Sequence, residues 1–192
     1  MIAAGFMAAA VCFTPQTASA AGSKSISTVT ATTQKSRKLG WVREGGKWYC
    51  YRANGEKARG LVAYKHNWYY TDKQTGAMVT GWVTLNGKPR YFRKAGGYMI
   101  RSGLWRLDGK LYYFDKSTGR QVNYIFGWLD LNKDGSEIYF FNADHSLATG
   151  WITSGSPQKV YYYDPDTGKM ATGMTTIGKY KYLFKADGAL NG

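Results

Sequence analysis

The sequence predicts an all-β protein, a solenoid of about seven stacked β-hairpin repeats of 20–24 residues. Three observations carry that expectation. A Gly followed by a large apolar residue returns every 20–24 residues from Gly40 onward. Aromatic residues make up 16% of the 192-residue chain, with 16 Tyr, 7 Trp and 8 Phe, and they gather in short runs that favour strands. Dipeptides such as Asn86-Gly87 and Asp108-Gly109 supply the positive φ angles of a type I′ hairpin turn. No segment after residue 40 shows helical periodicity.

The amino end reads as an export signal. Ile2 to Phe13 are apolar or small and carry no charge, and Thr14-Pro15-Gln16-Thr17 breaks the run. Ala18-Ser19-Ala20 then forms an A-x-A cleavage signal, so residues 1–20 are expected to be a signal peptide, too short for a transmembrane span. No Lys or Arg precedes the apolar run, which is the pattern of a signal truncated at its start. Cys12 would leave with the signal, so Cys50 is expected as a lone thiol. Residues 21–39, rich in Ser, Thr and Lys and without an aromatic, read as a solvated linker.

The repeat array spans residues 40–192, with units opening at Gly40, Gly60, Gly81, Gly103, Gly127, Gly150 and Gly173. Each unit runs from its Gly to a turn, then an aromatic run such as Trp68-Tyr69-Tyr70 or Tyr161-Tyr162-Tyr163, then a polar loop containing Gly, such as Asp164-Pro165-Asp166-Thr167-Gly168. A two-stranded hairpin is marginal alone in water, so the units must stack to bury their faces.

The first unit shows how such stacking creates a site. A turn at Gly45-Gly46 pairs Glu44 with Lys47, Arg43 with Trp48 and Trp41 with Cys50. Side chains alternate faces along a strand, so Trp41 and Trp48 share one face. Tyr70 of the next unit is the expected third wall, with Met78 and Trp82 lining the same groove. Aromatic walls of this kind attract a quaternary ammonium by cation–π interaction, and an open version stacks on a sugar ring.

The array resembles the cell-wall-binding repeats of Gram-positive surface proteins, also called choline-binding repeats. Related arrays occur in glucan-binding proteins and bacterial toxins. The matching residues are Gly-Trp at 40–41, 81–82, 127–128 and 150–151, the aromatic runs, and the loops Thr75-Gly76-Ala77-Met78 and Thr167-Gly168-Lys169-Met170. The resemblance implies a β-hairpin solenoid that attaches to wall teichoic acid, to choline on it, or to a glycan. The family's Trp pair carries over only to the first unit. The opening position reads Trp41, Leu61, Trp82, Leu104, Trp128, Trp151 and Met174, and the second reads Trp48, Trp68, Pro89, Leu111, Ile138, Val160 and Lys181.

Composition and charge set the remaining bounds. The aromatic content excludes a disordered chain, and the absence of an 18-residue apolar run excludes a multi-pass membrane protein. Lys and Arg outnumber Asp and Glu 26 to 12, a net charge of +14 that favours polyanions without choosing among nucleic acid, anionic lipid and wall polymer. The export signal argues against nucleic acid. Lys47, Lys88 and Lys110, beside the turns, are expected to add salt-sensitive attraction.

Catalytic and metal chemistry is sparse. Asp130-Leu131-Asn132-Lys133-Asp134-Gly135 opens like an EF-hand loop, but Phe141 holds the place of the bidentate Glu, so an enlarged turn is expected. His66 and His145 fall in separate turns or loops and read as exposed polar residues. Asp115 and Asp164 recur at one repeat position, which suggests loop hydrogen bonding. No catalytic residues, metal or cofactor are expected. The reading is a secreted, wall-associated, noncatalytic binding module. An adhesin for host glycans or proteins and a wall- or glucan-acting hydrolase are the competing classes.

Overall fold

The computed structural model describes residues 10–12, 38–122, 127–131, 133–135 and 137–192. The expected signal and linker therefore lie outside the described residues, apart from 10–12 and 38–39. The described chain contains strands and turns and no helix. It divides into two compact units, one ending at Ile100 and the other starting at Arg101.

The first unit holds three hairpins: β2 (Gly40–Glu44) with β3 (Lys47–Tyr51), β4 (Gly60–Tyr64) with β5 (Asn67–Thr71), and β7 (Gly81–Leu85) with β8 (Lys88–Phe92). Two short strands extend the middle hairpin into a four-stranded sheet: β1 (Ala10–Cys12), parallel to β4, and β6 (Met78–Val79), antiparallel to β5. The second unit holds four hairpins: β9 (Gly103–Leu107) with β10 (Lys110–Phe114), β11 (Gly127–Asp130) with β12 (Ile138–Phe141), β13 (Gly150–Ser154) with β14 (Lys159–Tyr163), and β15 (Gly173–Ile177) with β16 (Tyr180–Phe184). All seven begin at the Gly expected to open a repeat. In the first, Glu44 faces Lys47, Arg43 faces Trp48 and Trp41 faces Cys50, the register set by the Gly45-Gly46 turn at φ 53° and 81°.

Within each unit the hairpins stack front to back. The Trp41 face of β2–β3 packs on Val62 and Tyr69 of β4–β5, and the opposite face of β4–β5, with Leu61, Trp68 and Tyr70, packs on Val83, Leu85 and Phe92. In the second unit Leu104 and Leu111 meet Leu129, Tyr139 and Phe141, while Trp128 and Phe140 meet Tyr161 and Tyr163. Trp151 in turn meets Tyr182 and Phe184. The core is thus a series of aromatic layers, with Phe92, Phe114, Phe141 and Tyr163 fully buried.

Backbone hydrogen bonds stitch the layers. The ends of the loops after β8, β12, β14 and β16 each give one amide to the preceding hairpin and the next amide to their own. Met99 N donates to Trp68 O at 2.7 Å and Ile100 N to Tyr91 O at 2.9 Å. Leu147 N and Ala148 N do the same with Leu111 O and Phe140 O, and Met170 N and Ala171 N with Ile138 O and Tyr162 O. Neighbouring hairpins are therefore coupled by directional bonds as well as by apolar contact.

The recurring aspartates serve the loops. Asp115 Oδ1 accepts from Ser117 Oγ and Thr118 Oγ1 at 2.7 Å each and from Thr118 N at 2.8 Å; Asp72 and Asp164 accept from Thr75 and Thr167 in the same way. These bonds, that of the Thr118 hydroxyl foremost, hold the Asp115 carboxyl down at about 2. Because the folded carboxyl titrates below its usual 3.8, its stabilisation is complete above that value and is lost as pH falls toward about 2. Melting temperatures across a pH series are expected to fall over that window. Asp115→Ala should melt lower at neutral pH and show a weaker acid dependence.

Other local readings divide. Asp130 accepts backbone bonds from Lys133 N and Gly135 N at 2.9 and 2.7 Å, and Phe141 is buried, so this segment is an enlarged turn capped by its own carboxylate. His66 is exposed at a turn, but His145 is half-buried at φ 64°, a left-handed loop position where other repeats carry Gly. Cys50 is fully buried and disulfide-bonded in the 192-residue chain, whereas the lone thiol is the expectation for the chain after removal of residues 1–20. Lys110 is paired with Asp144 at 2.5 Å, so its charge is partly neutralised within the fold.

Candidate functional site

A groove lies in the first unit, where the Trp41 face of β2–β3 meets β4–β5. Trp41 and Trp48 share that face through the register of β2 and β3. Tyr69 comes up from β5, its ring centroid 5.0 Å from that of Trp41 at an interplanar angle of 56°. Met78, on β6, adds a polarisable apolar wall. Together with Lys47 and Lys94 these side chains line a cleft of about 570 Å³. Trp48 is 44% exposed, so one wall stays accessible to a ligand.

The electrostatics suit recognition rather than proton transfer. The cleft lining contains two lysines and no carboxylate or histidine. Burial pushes the Tyr69 phenol up, so it stays neutral. Trp41 Nε1 is buried without a hydrogen-bond partner among the described residues, and Tyr64 packs edge-on against the indole at 6.4 Å.

The structure brings Trp41, Trp48 and Met78 together and places Tyr70 and Trp82 elsewhere. Tyr70 points to the other side of its hairpin, 5.8 Å from Phe92 in the next layer. The hairpins stack front to back, so the residue facing Trp41 has the opposite strand parity, and Tyr69 takes the place expected for Tyr70. Trp82 packs edge-on against Tyr91 at 5.1 Å, on the face of β7–β8 turned away from β4–β5.

Sequence reasoning also missed Gly96 and Gly97, which line the cleft from the loop after β8. A Cβ on Gly97 would lie 2.3 Å from Met78 Sδ, and the backbone there has φ 73°. The left-handed backbone favours Gly there, and any Cβ would push the flexible end of Met78 aside. Gly97→Val is expected to cost about 2–5 kcal/mol, summing left-handed strain and overpacking. It should displace Met78, and thermal melts together with ligand titration would show both effects.

Known proteins carry the same frame. The choline-binding repeat family model matches residues 39–80, 79–126 and 130–173. The chain belongs to the choline-binding repeat family. Among solved structures, this choline-binding repeat array superposes on CbpJ from Streptococcus pneumoniae with a TM-score of 0.61 and 30% identity, covering 80% of this chain and 52% of that one. Choline binding protein F from the same organism gives 0.60 and 33%, with the same coverage. Glucosyltransferase-I of Streptococcus downei is 33% identical over 147 residues, which is 64% of this chain and 9% of that protein. Toxin B of Clostridioides difficile is 32% identical over 77 residues, covering 40% of this chain and 3% of the toxin. This chain spans 9% and 3% of the length of these two relatives.

Proposed function

We propose that this chain is an exported, noncatalytic module that attaches to Gram-positive wall polymer, with the Trp41/Trp48/Tyr69 cleft as its principal site. The observation that carries the reading is an open cleft walled by two tryptophans and a tyrosine, with Met78 beside them. Such walls suit the choline of a substituted teichoic acid, whose ammonium is drawn to aromatic faces. Lys47 and Lys94 suit the phosphates of the same polymer. The likeness to choline binding protein F, which was also solved in the presence of a peptidoglycan analogue, supports a wall ligand.

The test is a pull-down of the protein on purified Gram-positive walls, with and without competing choline and on walls stripped of teichoic acid. Loss of binding with choline supports the aromatic cleft, and loss only on stripping supports charge-driven attachment. No binding to any wall sinks the anchoring reading.

A further inference from the structure

A second groove opens on the other face of β4–β5. Tyr69 and Tyr70 are adjacent on β5 and point to opposite faces, so the strand that gives Tyr69 to the Trp41 cleft gives Tyr70 to this groove. Its volume is about 270 Å³. Arg59, Leu61, Tyr70 and Lys73 line it at the base of β4–β5, and Thr84 and Asn86 line it at the turn of β7–β8. It shares no lining residue with the Trp41 cleft.

The charge in this groove is wholly positive. Arg59 and Lys73 line it, and no carboxylate does. Both cations are exposed, and neither forms an ion pair among the described residues, whereas Lys38, Lys57, Lys110, Lys159 and Lys169 each hold a carboxylate. Asp72, beside Lys73 in the chain, is committed to its own loop, where its Oδ1 accepts from Gln74 N, Thr75 N and Thr75 Oγ1. Its carboxyl is held below the usual range chiefly by the Thr75 amide and hydroxyl, with the charge of Arg59 a lesser cause. The sequence also sets this groove apart from the other repeats. Of the seven residues that immediately precede an opening Gly, Arg59 is the one cation.

We propose that this groove binds a phosphate group. The Arg59 guanidinium offers a planar pair of donors that matches phosphate oxygens, and Lys73 adds a point charge. The Tyr70 hydroxyl and the Asn86 amide are neutral donors with no hydrogen bond of their own among the described residues. Leu61 and the Tyr70 ring give an apolar floor against which the carbon chain of a phosphoester can lie. Two cations repel an ammonium and a single phenol ring cannot enclose one, so the groove does not suit choline. The site goes beyond the reading above, since it lies outside the Trp41 cleft and needs no ligand there. On a polymer that carries phosphates it would add a second contact, with the gain of multivalency.

The experiment is an NMR titration of the full protein with inorganic phosphate, glycerol 3-phosphate and acetate, each with and without choline, read at the backbone amides of Gly60, Leu61 and Asn86. Saturable shifts with the phosphates are expected, unchanged by choline and weakened by sodium chloride. Arg59→Gln and Lys73→Gln should each weaken the binding about tenfold, the loss of one charge-assisted hydrogen bond. Both side chains are exposed, so the variants should keep the wild-type melting temperature. A charge-matched variant, Lys116→Gln with Lys181→Gln, removes two exposed cations outside the groove and should leave the affinity unchanged. Tighter binding of glycerol 3-phosphate than of inorganic phosphate would identify a phosphoester as the source, and equal binding would identify free phosphate; either upholds the site. No saturable shift at these amides, acetate bound as tightly as phosphate, or equal weakening by the distant pair overturns it. Choline binding retained in Arg59→Gln alongside such a result would leave the Trp41 cleft standing.

Discussion

Trp41→Ala is expected to lose choline and wall binding together. Trp41 is the shared wall of the cleft, pairing with Cys50 across its hairpin and stacking on Tyr69 at 5.0 Å. A desolvated cation–π contact contributes about 2 kcal/mol, so removing this ring should weaken choline roughly 30-fold. Half-buried between two layers, the side chain also supports the fold, and its truncation should destabilise the first unit by about 3 kcal/mol, the low end for a large aromatic. The two effects separate by titrating choline well below the melting temperature of the variant. Trp82→Ala is the matched control, since that indole is as exposed as Trp48 but lies outside the cleft. Equal affinity in Trp41→Ala and wild type would remove the cleft from the binding mechanism. Tyr69→Ala and Tyr70→Ala sharpen the result: only the first removes a cleft wall, while the second acts on the neighbouring layer.

Phe141→Ala carries the largest expected cost in stability. The ring is fully buried in a layer with Leu111, Tyr139 and Leu147. Deleting it leaves a cavity that stitched hairpins cannot collapse to fill, because Leu147 is held to the Leu111 carbonyl at 2.7 Å. A loss of about 3–5 kcal/mol follows, which lowers the melting temperature by roughly 6–20 °C. Phe141→Leu, which keeps most of the volume, should cost under about 1.5 kcal/mol. A melting temperature for Phe141→Ala within a few degrees of wild type would show that the layer is not the stabilising core.

Much of this was legible in the residues. The Gly45-Gly46 turn was enough to pair Trp41 with Cys50 and Arg43 with Trp48, because a two-residue turn leaves one register. Strand alternation then put Trp41 and Trp48 on one face. Asp115 and Asp164 could be assigned to loop hydrogen bonding because they recur where a loop needs an acceptor. The third wall could not be read in the same way. Alternation separates Tyr69 from Tyr70 but is silent on which of them meets the preceding hairpin. Lys110 likewise looked available to a polymer, because its partner Asp144 lies a whole repeat away.

The sequence by itself determined the number of hairpins and, in the first, the register and the residues on each face. Those features follow from turn chemistry and a two-residue period, both local along the chain. The tertiary structure decided how the faces meet. Front-to-back stacking made Tyr69 the third wall, brought Gly97 against Met78 and turned Tyr70 and Trp82 away. The physical reason is that stacking is chosen by the packing of two whole faces and by loop amides bonding to the preceding hairpin, and neither is encoded within a single repeat.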